Sequence, residues 1–150
     1  MFLKDVWSFS SDRIVGIISR TEFMSLEDDS FENTVLISIS NPHSSKPTMN
    51  LEKFDNCLLT SFWDSTGSSK QVIDKKTAKE IKAFILDHKE SRFLIHCSAG
   101  RSRSSAVAKA IECLLDFDND LYGYRTSSSG IDFHKRYTPN DTVFKEIVNS

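Results

Sequence analysis

Three short apolar runs, each cut off by polar or turn-forming residues, constrain the fold of this 150-residue chain more than any other feature. They are Thr34-Val35-Leu36-Ile37-Ser38-Ile39-Ser40, Cys57-Leu58-Leu59-Thr60-Ser61-Phe62 and Arg92-Phe93-Leu94-Ile95-His96, and their β-branched and aromatic content predicts strands. A stretch around Val6-Trp7-Ser8-Phe9 is expected to add another. Between the second and third runs, Ala78, Ile81, Ile85 and His88 recur at helical spacing, with Lys75, Lys79 and Lys82 on the other side; this predicts an amphipathic helix over 74–89. A second helix follows the third strand, carrying Ala106, Val107, Ala110, Ile111, Leu114 and Leu115 on a broad apolar stripe. A last one is expected to start near Pro139, whose fixed φ suits a first turn, and to bury Val143, Phe144, Ile147 and Val148. Strand, helix, strand, helix in this order predicts an α/β fold, a central and mostly parallel sheet flanked by helices on both faces. Ligands of such sheets sit beyond the carboxyl ends of the strands, here residues 41–50, 63–69 and 97–104. The long connection from Asp118 to Tyr137, with its run Ser127-Ser128-Ser129-Gly130, reads as a surface excursion.

A chain of this length with 39% hydrophobic residues supports one core, so residues 1–150 are expected to form a single domain. A net charge of −2 gives no basic excess for nucleic acid, and eleven Phe argue against disorder. The start, Met1-Phe2-Leu3-Lys4-Asp5, meets charge at once, and no apolar run reaches the ~18 residues of a membrane span. Cytoplasmic location is the expectation. Cys57, Cys97 and Cys113 are an odd set without CxxC spacing, which suggests neither a disulfide framework nor a four-ligand zinc site but a reducing compartment.

The third strand runs into His96-Cys97-Ser98-Ala99-Gly100-Arg101-Ser102-Arg103-Ser104, and a helix begins where that run ends. An apolar strand, a loop of small residues and a helix start let successive main-chain N–H groups curl around one anion. A thiol with an ordinary pKa near ~8.5 needs activation at neutral pH; loop amides, helix N-terminus and Arg103 all favour negative charge at Cys97. The same groups would hold the equatorial oxygens of a transferring phosphoryl group, Arg103 by planar, bidentate hydrogen bonds. Gly100 would supply a turn or close approach, and Ser98 and Ala99 leave room for a ligand.

This HCxxGxxRS pattern resembles the signature loop of the protein tyrosine phosphatase superfamily, in particular its small dual-specificity branch; the likeness is specific over about residues 92–115 and architectural elsewhere. The resemblance implies a cysteinyl-phosphate mechanism with Cys97 as nucleophile and Arg103 as phosphate binder. It makes His96 a holder of the loop that tunes the thiolate, and Ser104 a hydroxyl that assists phosphate release. Residues 98–103, including Arg101 and Ser102, would form the phosphate cradle. The implied partner is a phosphorylated protein or peptide, and neither metal nor other cofactor is implied.

Expelling an alkoxide or phenolate needs a general acid. Asp64, just after the second strand in Phe62-Trp63-Asp64, belongs at the same sheet edge as Cys97, and the family's acid loop occupies this place, although the Trp-Pro-Asp of the larger enzymes is missing. Asp55 and Asp74 are the other candidates. Gly67, with Ser65, Thr66, Ser68 and Ser69 around it, predicts a pliable segment able to open and shut. Arg101 would add a second cation at the lip, where the run Ala-Gly-Arg-Ser-Arg-Ser resembles the loop of a phosphatidylglycerophosphate phosphatase; Asn41, His43 and Lys46 are candidates for the rim. Cys57 and Cys113 read as core packing, with a backup thiol for oxidised Cys97 as the alternative. Three further functions remain open at this point: the same chemistry on a lipid, nucleotide or RNA 5′ phosphate, a phosphate-binding module without turnover, and sulfur transfer of the rhodanese kind.

Overall fold

The computed structural model describes residues 1–67, 71–116 and 130–150. Four strands, β1 (Ile14–Ser19), β2 (Thr34–Ser40), β3 (Asn56–Ser61) and β4 (Arg92–Cys97), form one sheet in the order β1-β4-β2-β3. All three pairings are parallel, so all four carboxyl ends lie along one edge. Every residue of β2 is buried, as a strand covered on both faces requires. Residues of β2 and β4 alternate between two apolar layers, Val35, Ile37, Phe93 and Ile95 entering one and Leu36 and Leu94 the other.

The two faces are covered unequally. The helices α2 (Lys75–Asp87), α3 (Arg103–Asp116) and α4 (Asp141–Asn149) all contribute to the larger layer. The other face is closed by the short α1 (Arg20–Met24) through Phe23 and by Leu26, Phe31, Phe54 and flanking loop residues. Asp74 caps α2 by accepting from Thr77 N at 2.7 Å. The expected boundaries of the three strands and of α2 hold to within about two residues; His88 is the C-cap of α2 rather than part of its buried stripe.

Two expectations are corrected. The strand expected around Val6–Phe9 is absent; the strand at this side of the sheet is β1. Residues 8–11 instead serve the edge of β1 through side chains, Ser8 Oγ accepting from Ile17 N at 2.8 Å and Ser11 Oγ from Ile14 N at 3.2 Å. The edge groups are satisfied without a ladder. The last helix does start near Pro139, at Asp141, but the proline lies outside its first turn: Asn140 is the N-cap and accepts from Val143 N at 3.1 Å, because an Asn carboxamide satisfies an orphan N–H that Pro cannot. The run Ser127–Ser129 and residues Ser68 and Ser69 lie outside the described residues.

Candidate active site

Strand β4 delivers Cys97 to the carboxyl edge, and the chain turns back into α3 at Arg103. Gly100 makes that turn possible. It adopts φ +67°, and a Cβ there would lie 2.5 Å from Ile18 C and Ser19 N, so the loop packs main chain against main chain on the end of β1. Arg20 N reinforces this contact by donating to the Ser98 carbonyl at 3.3 Å. Among the described residues, none accepts a hydrogen bond from the N–H groups of Ser98 to Ser102, which leaves those donors for an anion.

Cys97 and Ser104 meet beneath this loop, their Sγ and Oγ 3.1 Å apart and both residues buried. Arg103 is also buried; its Nη1 donates to the Phe62 carbonyl at 2.7 Å, tying the start of α3 to the end of β3. A cleft of about 370 Å³ opens above, lined by Asp64, Cys97, Ser98, Ala99, Arg101, Ser102, Arg103 and Thr138. The expected nucleophile, clamp, acid and cradle residues therefore converge. Among the described residues no carboxylate pairs with the exposed Arg101, while its carbonyl accepts from Thr138 N at 3.0 Å and Ser105 Oγ at 2.6 Å.

His96 lies just outside the cleft, fully buried and stacked on Phe23 at 4.4 Å between ring centroids. Neither ring nitrogen has a hydrogen-bond partner among the described residues. Burial pushes its pKa down to about 4; Arg20 adds to this, and a loose interaction with the Cys97 main chain opposes it. At neutral pH His96 is uncharged, so any influence on Cys97 is exerted through packing and not through positive charge.

Asp64 is exposed yet held. Its Oδ1 accepts from Ser102 Oγ at 2.8 Å and from Asn140 Nδ2 at 2.7 Å. Asn140 Nδ2 also donates to the Ser65 carbonyl at 3.0 Å, and Gly67 N donates to Thr142 Oγ1 at 3.0 Å. Gly67 has φ +69° with open space around it, but the described part of the segment expected to be pliable is fastened to the start of α4. Asp55 stands at the amino end of β3 and Asp74 is spent as the cap of α2. Neither lines the cleft.

The rim candidates do not converge. Asn41, His43 and Lys46 are outside the cleft lining; Lys46 Nζ donates instead to the Leu59 carbonyl on the edge of β3 at 3.3 Å. The backup thiols are also misplaced. Cys57 is two strands from β4, about 10 Å, and Cys113 is about 15 Å along α3 from Arg103, whereas a disulfide needs Cα atoms within about 7 Å. Burial pushes the Cys113 thiol up to about 11 and raises that of Cys57, to which Glu52 adds. Asn140 and Thr138 are the site residues that sequence reasoning missed; the signal was an Asn before an amphipathic helix, a cap whose second use no local pattern reveals. Among the described residues no cluster of His, Cys, Asp or Glu could hold a metal ion, and no helix is long and apolar enough to cross a membrane.

One comparison with known proteins finds a likeness. The crystal structure of human tyrosine phosphatase-like serine/threonine/tyrosine-interacting protein superposes with a TM-score of 0.51 over 77% of this chain and 74% of that one, at 19% identity. The chain has a dual-specificity phosphatase-like fold. No family profile and no curated protein matches the sequence. At this identity the likeness carries the fold and leaves turnover and substrate to be argued from the site.

Proposed function

We propose that residues 1–150 form a single phosphatase domain that hydrolyses phosphate monoesters through a cysteinyl-phosphate on Cys97. The observation that carries this reading is the convergence of Cys97, Arg103 and Asp64 on one cleft, with the buried Ser104 hydroxyl 3.1 Å from Sγ beneath it. In the first step Sγ attacks phosphorus, the bond to the leaving oxygen breaks and Asp64 gives that oxygen its proton. Arg103 and the N–H groups of residues 98–102 hold the three equatorial oxygens, acting where charge spreads in the transition state. In the second step water attacks phosphorus, Asp64 takes its proton, and the Ser104 hydroxyl donates to the sulfur as it leaves. His96 buttresses the loop from behind.

A phosphorylated protein or peptide, phosphotyrosine first, is the substrate class that the motif's resemblance implies. One observation favours a second reading with the same chemistry, a polar, multiply charged ester such as a lipid, nucleotide or RNA 5′ phosphate. No aromatic ring lines the cleft among the described residues, and Arg101 stands unpaired at its lip. A binding module without turnover has no use for an acid fixed over the cradle, and sulfur transfer has none for the Arg103–Ser104 pair.

The test is hydrolysis of p-nitrophenyl phosphate in EDTA and reductant. The wild type should turn over with chelator present, and Cys97→Ser should lose all detectable activity while remaining folded. No turnover by a folded wild type would leave phosphate binding alone, and dependence on added divalent ion would replace the cysteinyl-phosphate step.

A further inference from the structure

Asn140 makes polar contacts beyond those a helix cap needs, its carbonyl accepting from Phe144 N at 3.1 Å as in any first turn. Its side-chain oxygen caps α4 through Val143 N, its Nδ2 donates to Asp64 Oδ1 and to the Ser65 carbonyl, and its own N–H donates to the Ser102 carbonyl at 3.1 Å. Asn140 itself is 4% exposed and its cap bond to Val143 N is buried, while the bonds to Asp64 and Ser65 are partly open to water. Ser102 completes the arrangement by giving its hydroxyl to the same Asp64 oxygen. Helix cap, acid segment and phosphate loop thus meet at one carboxamide.

We propose that Asn140 and Ser102 are positioning residues that select which oxygen of Asp64 delivers the proton; this rests on the phosphatase reading above. Asn140 Nδ2 can only donate, so it holds Oδ1 as an acceptor and disfavours a proton there, and the Ser102 hydroxyl donates to the same oxygen. The proton of the neutral acid therefore resides on Oδ2. As the phosphorus–oxygen bond to the leaving group breaks, the Oδ2–H bond breaks and a new O–H bond forms on the leaving oxygen. The resulting carboxylate keeps both hydrogen bonds at Oδ1, now charge-assisted. Asp64 is exposed and its Gly67 neighbour has conformational freedom, so without these donors the carboxyl group would be free to rotate and the segment to drift. A misplacement of about 1 Å is enough to cost a large part of a catalytic effect.

The variant that separates the clasp from the cap is Asn140→Ser, because Ser is also a good N-cap but cannot reach Asp64. Hydrolysis of phenyl phosphate, whose leaving group needs the proton, is compared with that of p-nitrophenyl phosphate, whose leaving group needs it far less. We expect Asn140→Ser to lower kcat/KM about 10-fold more for phenyl phosphate than for p-nitrophenyl phosphate, and Asp64→Ala combined with it to show no further selective loss. Equal slowing of both esters, or multiplicative losses in the double variant, would mean that Asn140 only supports the fold. The contact has a readout that needs no turnover: the side-chain NH₂ resonances of Asn140 should move on Asp64→Ala in the full chain. If the wild type hydrolysed neither ester, the phosphatase reading would fail by itself, and unmoved Asn140 resonances would then overturn the clasp as well.

Discussion

The loop of residues 97–104 and the segment of residues 64–67 sit across the same cleft and are held by different means. Residues 97–104 are seated on main chain: β4 enters between β1 and β2, Gly100 rests on the backbone of Ile18 and Ser19, and the Arg103 side chain is locked to the Phe62 carbonyl. Residues 64–67 are exposed or half-buried and are fastened from outside by the side chains of Ser102, Asn140 and Thr142. The first is built into the end of the sheet, whereas the second can be loosened by deleting individual side chains. On the proposed function, binding of phosphate and delivery of a proton are therefore separable.

The severest way to break the contrast is Gly100→Ala. A methyl group 2.5 Å from backbone atoms has no flexible neighbour to displace, and the residue would also keep a positive φ. We expect activity to vanish and stability to fall by several kcal/mol, on the order of ~3 or more, read by urea titration; a stable, active variant would show that the loop does not need its seat on β1.

The layer behind the loop offers a second test. His96 titrates near 6.5 when unfolded and at about 4 when folded, so between these values the unfolded chain binds the extra proton. Stability is full above pH 6.5 and declines as pH falls towards 4, by up to about 3 kcal/mol from this group. Thermal melts across this range should show the slope, and His96→Asn should flatten it; an unchanged slope would remove His96 as its source. On the acid side of the cleft the effect is smaller and selective. Asp64→Ala should slow phenyl phosphate about 100-fold and p-nitrophenyl phosphate much less, measured as kcat/KM, while leaving the loop's affinity for inorganic phosphate within about 2-fold. Equal slowing of both esters would take Asp64 out of the acid role.

The same contrast explains what could be read from sequence. The cradle is encoded within one continuous stretch, an apolar strand, a glycine loop and a helix start, so Cys97, Gly100, Arg103 and Ser104 were legible from their order. Asp64 was legible only as a position at the right sheet edge. Its partners were not, because Asn140 and Thr142 reach it across the fold and their local pattern announces a helix cap and nothing more. Strand β1 escaped detection for a related reason: Ile14–Ser19 follows residues whose apolar side chains resemble a strand, but Ser8 and Ser11 bind the sheet edge by their hydroxyl groups. Pro139 marks the region of the last helix start but stands before its cap, Asn140, and not in its first turn.

The strand order has a consequence in time. Parallel neighbours cannot be joined by tight hairpins, and β1 finds its place only beside β4, with Ser19 opposite Cys97. Such distant pairings form slowly and late. The seat of Gly100 on Ile18 and Ser19 is assembled by that same pairing, so a chain emerging from synthesis has no cradle until the third crossover is complete. The turn that follows Cys97 is thereby completed only when the first strand has closed onto the last.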